Sequence, residues 1–326
     1  MRLRFIILAL VLSLSTCVSK GDWVSPLERD HPLVGSIWSP AARHFISRQD
    51  LEKAAQAADF VLLGEKHDNA DHHLLQAQIV TAMAKMGRKP AIVMEMIDEE
   101  KQLDIDKWRS SGPANAGELG NAVSWEKSGW PDWSFYRPIA DAAVTVILPI
   151  RAGNISRRRT RIISRKGIAE IAASRRDRLG LDIPLVKKIE NKLRDELFES
   201  HCRLMPRRVL SPMIIVQRVR DAFLADNLVT GAVLPNADSG VLIAGTGHIR
   251  NDYAVPVYLK RLRKDAKIIS VAFVEVENSA NHPKDYGNHF NGSLPFDFIW
   301  FTPRADDKDH CTELKERFGK RKPKKK

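Results

Sequence analysis

Cysteine is scarce in this chain. Its 326 residues include three, Cys17, Cys202 and Cys311, and no Cys-x-x-Cys pair. That excludes a cysteine-built zinc ribbon and a thioredoxin-type redox centre. If Cys17 leaves with a leader or carries lipid, Cys202 and Cys311 remain, either to pair in an oxidising compartment or to stay free. Long apolar runs are also missing. After the first residues nothing supplies about twenty apolar residues in succession, so the body should hold no transmembrane helix. No repeat of solenoid length occurs. Acidic residues are outnumbered, 40 against 52 Lys and Arg, for a net charge of +12 and a pI near 9.7. The excess sits in Arg157 to Lys166 and Lys320 to Lys326. Such one-sign blocks are solvated and meet anions nonspecifically, so no dedicated nucleic-acid partner is expected.

The N-terminus carries an export pattern. Arg2 and Arg4 precede the apolar run Phe5 to Leu14, which is of signal-peptide length and too short for a stable span. Residues 1–19 therefore read as a signal peptide. Leu14-Ser15-Thr16-Cys17 resembles a lipoprotein processing box, and two fates fit: lipidation of Cys17 as a membrane tether, or cleavage near Ser19. Either places the protein in the cell envelope, as a periplasmic protein or an outer-membrane lipoprotein.

With 44% hydrophobic residues the chain can bury a substantial core. Phe60 to Leu63, Ala91 to Met94, Val144 to Leu148 and Val241 to Ala244 are short runs rich in Val, Ile and Leu. Such runs read as strands of a parallel sheet covered on both faces. Ile268 to Val274 and Phe296 to Phe301 are further strand candidates. Helices are expected over Ser47 to Ala58, Ala70 to Met86, Pro212 to Leu228 and Val255 to Lys264, with Ser47 and Asp68 or Asn69 as N-caps. The first two strands and the helix between them read as a βαβ unit. The prediction is an α/β domain over 30–303, a mainly parallel sheet flanked by helices. A smaller helical insertion occupies about 157–208, residues 109–135 form a structured Trp-rich loop, and 304–326 form a basic tail.

Two segments recur: Gly64-Glu65-Lys66-His67 and Gly245-Thr246-Gly247-His248 each follow an apolar run directly. Ligands of open α/β sheets bind beyond the carboxyl ends of the strands, where connections diverge. Glu95 ends the intervening run, and Arg151 with Asn154 follows the next. One rim can thus gather two carboxylates, two imidazoles and a guanidinium, able to run acid/base chemistry, hold a divalent metal on His67, His248 and Glu65, or grip an anion. Taken singly, Glu95, His67 and His248 have structural readings as strand-end acceptors or caps. Of His72 and His73, one turn into the next helix, one should face the crevice while the other caps or packs.

These segments are part of an ordered series. It runs through His31-Pro32-Leu33-Val34-Gly35, then Leu62 to Asn69 with His72, His73 and Gln76, then Met94-Glu95-Met96. Trp125, Ser128 to Trp133 and Tyr136-Arg137-Pro138-Ile139 follow. Gln217 and Asp221 come next, then Ala244 to Arg250 with Asp252 and Val255-Pro256. The series resembles the ChaN-like haem-binding uptake proteins, which share a superfamily with Tiki proteases and erythromycin esterases. One departure is that Phe223 and Leu224 follow Ala222, where members of the family usually have Met-Ala after the Asp. The resemblance implies an exported protein that binds haem or another porphyrin in uptake or storage. It also implies tyrosine ligation of iron and two haems stacked at a homodimer interface. The hydrolases of the superfamily would place their catalytic groups on Glu65, His67, Glu95 and His248.

A porphyrin needs an aromatic surface, an axial ligand and a cationic rim for its propionates. Tyr136 beside Trp130 and Trp133 is the first candidate ligand among four tyrosines, and Tyr253 and Tyr258 near His248 and Tyr286 follow. His72, His73 and Arg250 complete the expected binding set. The competing reading of the Trp cluster is a loop pinned to the core by its indoles. Two other functions stay open: a peptidase or esterase, metal-dependent or not, and a surface-binding protein acting through its basic tail.

Overall fold

A computed structural model describes residues 22–290 and 292–319. The expected signal peptide, Cys17 and the Lys320 to Lys326 run lie outside the described residues. The strands are β1 (Ile37–Ser39), β2 (His44–Ile46), β3 (Phe60–Glu65), β4 (Pro90–Asp98), β5 (Ile150–Asn154), β6 (Ser239–Gly245), β7 (Ile268–Glu275) and β8 (Phe298–Thr302). The helices are α1 (Arg48–Ala57), α2 (Ala70–Lys85), α3 (Gln102–Ser110), α4 (Ala116–Ala122), α5 (Trp133–Thr145), α6 (Arg157–Lys166), α7 (Ala173–Leu179), α8 (Lys187–Ser200), α9 (Ser211–Gly231), α10 (Val255–Leu262) and α11 (His310–Gly319).

One eight-stranded sheet runs β2-β1-β8-β7-β3-β6-β4-β5. From β8 to β5 its pairs are parallel, and β1 and β2 add an antiparallel edge. Alternate residues on each strand enter opposite cores, as the two-residue period requires. Val61, Leu63, Ile92, Met94, Val241 and Ile243 meet α1, α2 and α5. Phe60, Leu62, Val93, Leu242 and Ala244 meet α9 and α10, where Ile163 of α6 and Leu179 of α7 join them. Full burial of each such aliphatic chain contributes roughly 1.5–3 kcal/mol before entropy.

The caps are local chemistry. Ser47 and Asp50 form a reciprocal capping box on α1, and Asn69 accepts from the backbone of Asp71 and His72 on α2. The βαβ expectation needs one change: β3 and β4 do not pair, because β6 lies between them. That places the strand leading to His248 between the one ending in Glu65 and the one carrying Glu95. After β3 the chain leaves through α2 on one face, and after β6 through α10 on the other. The connections therefore diverge at the carboxyl ends of β3 and β6.

Two expected elements differ. Val144 to Leu148 is not a strand: Val144 and Thr145 finish α5, Ile147 has φ 58°, and the strand begins at Ile150. The Trp-rich loop contains α4 and the start of α5, with Tyr136, Ile139, Ala140 and Ala143 facing the core. The tail beyond 304 is partly ordered, since Arg304 pairs with Leu27 and Cys311 on α11 forms a disulfide with Cys202.

Candidate functional site

Register puts Glu65 directly opposite Gly245 on neighbouring parallel strands. Glu65 lies on the α2 and α5 side, fully buried. Its Oε1 accepts from His67 Nδ1 at 2.9 Å and from Tyr136 Oη at 3.0 Å. His73 Nδ1 lies 3.0 Å from Oε2 while its Nε2 donates to the His67 carbonyl at 3.1 Å. Burial pushes the Glu65 carboxyl up, but the charges and hydrogen bonds of His73 and His67 outweigh it and hold the carboxyl well below the carboxylate range. Burial pushes both imidazoles down, yet Glu65 wins and raises them.

Glu95, one residue position after Met94, faces the opposite core. Its Oε2 accepts from the Gly245 amide at 2.7 Å, and its Oε1 accepts from Arg220 of α9 at 2.5 Å and lies 3.2 Å from His248 Nε2. His248 Nδ1 donates to Asp221 Oδ1 at 2.5 Å, and the Gln217 amide lies 3.2 Å from the same nitrogen. An imidazole between two carboxylates uses both N–H groups as donors. Burial disfavours that cation, but Glu95 and Asp221 push its pKa up to about 9. Burial likewise raises the Glu95 carboxyl, and His248 with Arg220 more than offsets it.

Gly245 joins the two halves. A methyl group there would sit 3.0 Å from His67 Nε2 and 3.6 Å from Glu95 Oε2, so the bare backbone lets imidazole and carboxylate close around the strand end. His67 keeps 32% of its side chain exposed and stacks on Trp130 at 4.6 Å. Glu95 and Trp130 line a crevice of about 790 Å³, with Trp125 at its wall and Lys101, Lys127, Arg157, Arg158 and Arg220 around it.

Comparison with known proteins bears on this site. Residues 51–259, which include Glu65, His67, Glu95, Tyr136 and His248, match the haem-binding uptake family of the Tiki superfamily, ChaN. The chain belongs to that family. In fold it is similar to a structure of cofacial haem binding to ChaN of Campylobacter jejuni, at TM-score 0.62 and 22% identity, over 81% of this chain and 95% of that one. A looser likeness, TM-score 0.46 at 13% identity over 84% and 99% of the two chains, is to an erythromycin esterase mutant in its open conformation. No protein of curated function matches the sequence.

This member of the haem-binding uptake family gathers only some of the residues expected from its sequence. Glu65, His67, Glu95, His248 and Trp130 meet around Gly245, with His73 and Tyr136 behind Glu65. His72 turns away, accepting from the Lys66 amide at 2.9 Å and pairing with Thr302 at 2.9 Å. Trp133 packs on Gly120 and donates to the Ala116 carbonyl at 3.1 Å, so it pins the loop as the competing reading had it. Arg250 is fully buried under α8, forked onto Asp252 and 4.6 Å over the Tyr253 ring.

Tyr136, Tyr253, Tyr258 and Tyr286 are all buried. The Tyr136 hydroxyl is spent on Glu65, and burial together with the Glu65 charge pushes its pKa far up, against the phenolate that iron takes. The expected divalent metal finds no support. Among the described residues no three His, Cys, Asp or Glu side chains are set to hold a metal ion. Glu65 already receives two donors, and His248 spends both nitrogens on carboxylates.

Arg220, and the cations Lys101, Lys127, Arg157 and Arg158, were not singled out from sequence. Arg220 was the findable one. It stands three residues after Gln217 and one before Asp221, so a single face of α9 presents all three.

Proposed function

We propose that this protein binds haem in the crevice at the carboxyl ends of β4 and β5, as an envelope protein of haem uptake or storage. The observation that carries the reading is the crevice itself: about 790 Å³ with indole walls and five cations. Trp130 and Trp125 suit the porphyrin face, and Lys101, Lys127, Arg157, Arg158 and Arg220 suit its propionates. His67, which meets the crevice at Trp130 with ring centroids 4.6 Å apart, suits the iron better than any tyrosine. Its Nδ1 is bonded to Glu65, the carboxylate–imidazole pairing that orients a metal-ligating histidine and leaves Nε2 as the ligand atom. Haem brings the iron and its redox chemistry; the chain orients the ring and neutralises its acids. Stacking of two haems in a homodimer and tethering through lipidated Cys17 remain parts of the same proposal.

Titration of the purified protein with hemin tests it. A saturable Soret shift, weakened in Trp130→Ala, is the expected result; a linear, unsaturable response in the wild type would remove the reading.

A second reading, a metal-independent hydrolase, is favoured by one observation: His248 held between Glu95 and Asp221 is a buried acid/base group with an orienting carboxylate. Turnover of a peptide or ester substrate, lost in His248→Ala, would establish it.

A further inference from the structure

A second cavity of about 370 Å³, adjoining the strand-end crevice, lies among α6, α8 and α9. Its walls carry Arg161 and Arg165 of α6 and Arg220 of α9, and Leu197, Met213 and Val216 form an apolar floor. None of its lining residues is acidic.

Several other arginines of this region are neutralised. Arg159 and Arg175 pair with Glu99, Arg178 with Asp226, and Arg194 with Glu190. Arg161 and Arg165 are exposed at the cavity's edge, and their guanidinium groups have no ion pair or hydrogen bond to another described residue. They stand at i and i+4 on one face of α6, where like charges repel by a few tenths of a kcal/mol. An anion between them relieves that repulsion and receives planar, forked donors that match a carboxylate.

We propose that this cavity is a binding site for a small amphiphilic carboxylate, its head among Arg161, Arg165 and Arg220 and its short apolar body on Leu197, Met213 and Val216. Arg220 and Thr160 also line the strand-end crevice, whereas Arg161, Arg165 and the apolar floor belong to this cavity alone. The two places are wired together, however. Arg220 also grips Glu95, and Gln217, another lining residue, reaches His248. An occupant that draws Arg220 outward loosens Glu95 and changes the field at His248.

The test is calorimetric titration of the full chain with octanoate and, separately, inorganic phosphate at constant ionic strength, with His248 followed by NMR. Octanoate should bind saturably, phosphate at least about tenfold more weakly, and the His248 signal should move. Arg161→Ala/Arg165→Ala should weaken octanoate at least about tenfold, and Leu197→Trp, which fills the floor, should do the same. Absence of saturable octanoate binding would overturn the proposal, as would binding indifferent to both variants. Phosphate binding as tightly as octanoate would overturn the amphiphile assignment, since the floor would then contribute nothing.

Discussion

His248 is the residue on which the electrostatics of the site turn. Its folded pKa near 9 stands above the ordinary 6.5, so its charge stabilises the fold fully below about pH 6.5 and ceases to do so as pH rises through 9. His67 and His73, also raised, act in the same sense. Unfolding free energy from urea titrations should therefore fall between pH 6.5 and pH 9, and Asp221→Asn should flatten the decline; a wild type indifferent to pH across that window would refute the charge state drawn for the site. Gly245→Ala is a second residue-scale prediction. Its methyl group, 3.0 Å from His67 Nε2, must displace that imidazole, so hemin affinity should drop while the far-ultraviolet spectrum stays native. Glu65, His67, Glu95 and His248 were legible in sequence because each stands at or just beyond the end of an apolar run. The state of Tyr136 was not, because its burial depends on α5, a helix the sequence disguises.

At the scale of elements, that disguise has a physical cause. α5 contains Pro138, and proline argues against a helix interior, while Val144 to Leu148 mimics a buried strand. Packing decided otherwise: Tyr136, Ile139, Ala140 and Ala143 give α5 its buried face, and the exposed Ile147 takes a left-handed turn into β5. The runs that became β3, β4, β6, β7 and β8 were legible because burial on both faces leaves continuous apolar sequence. The three-residue strands β1 and β2 were not, being too short to show a period. The close approach at Gly64 gives a stability prediction at this scale. A Cβ there would meet Ile249 Cδ1 at 2.5 Å, so Gly64→Ala should cost about 1–3 kcal/mol in denaturant unfolding, and a neutral result would mean that the turn after β6 yields freely. Cys202 and Cys311 close a loop spanning 109 residues, for which chain entropy predicts roughly 4–5 kcal/mol. Unfolding with and without reductant measures that difference, and coincident curves would deny the bridge a stabilising role.

Across the whole molecule, one sheet order does the positioning. Insertion of β6 between β3 and β4 brings groups from distant parts of the chain to one rim, and the cations of α6 and α9 surround it. Part of the net charge of +12, which from composition alone pointed to no particular partner, lies around the crevice. The most direct measurement of the account is the optical spectrum of hemin titrated into wild type, His67→Ala and Tyr136→Phe. It predicts saturable binding by the wild type, a changed Soret band and weaker binding for His67→Ala, and a wild-type spectrum for Tyr136→Phe. A His67→Ala spectrum identical to wild type, with the band altered in Tyr136→Phe instead, would contradict it.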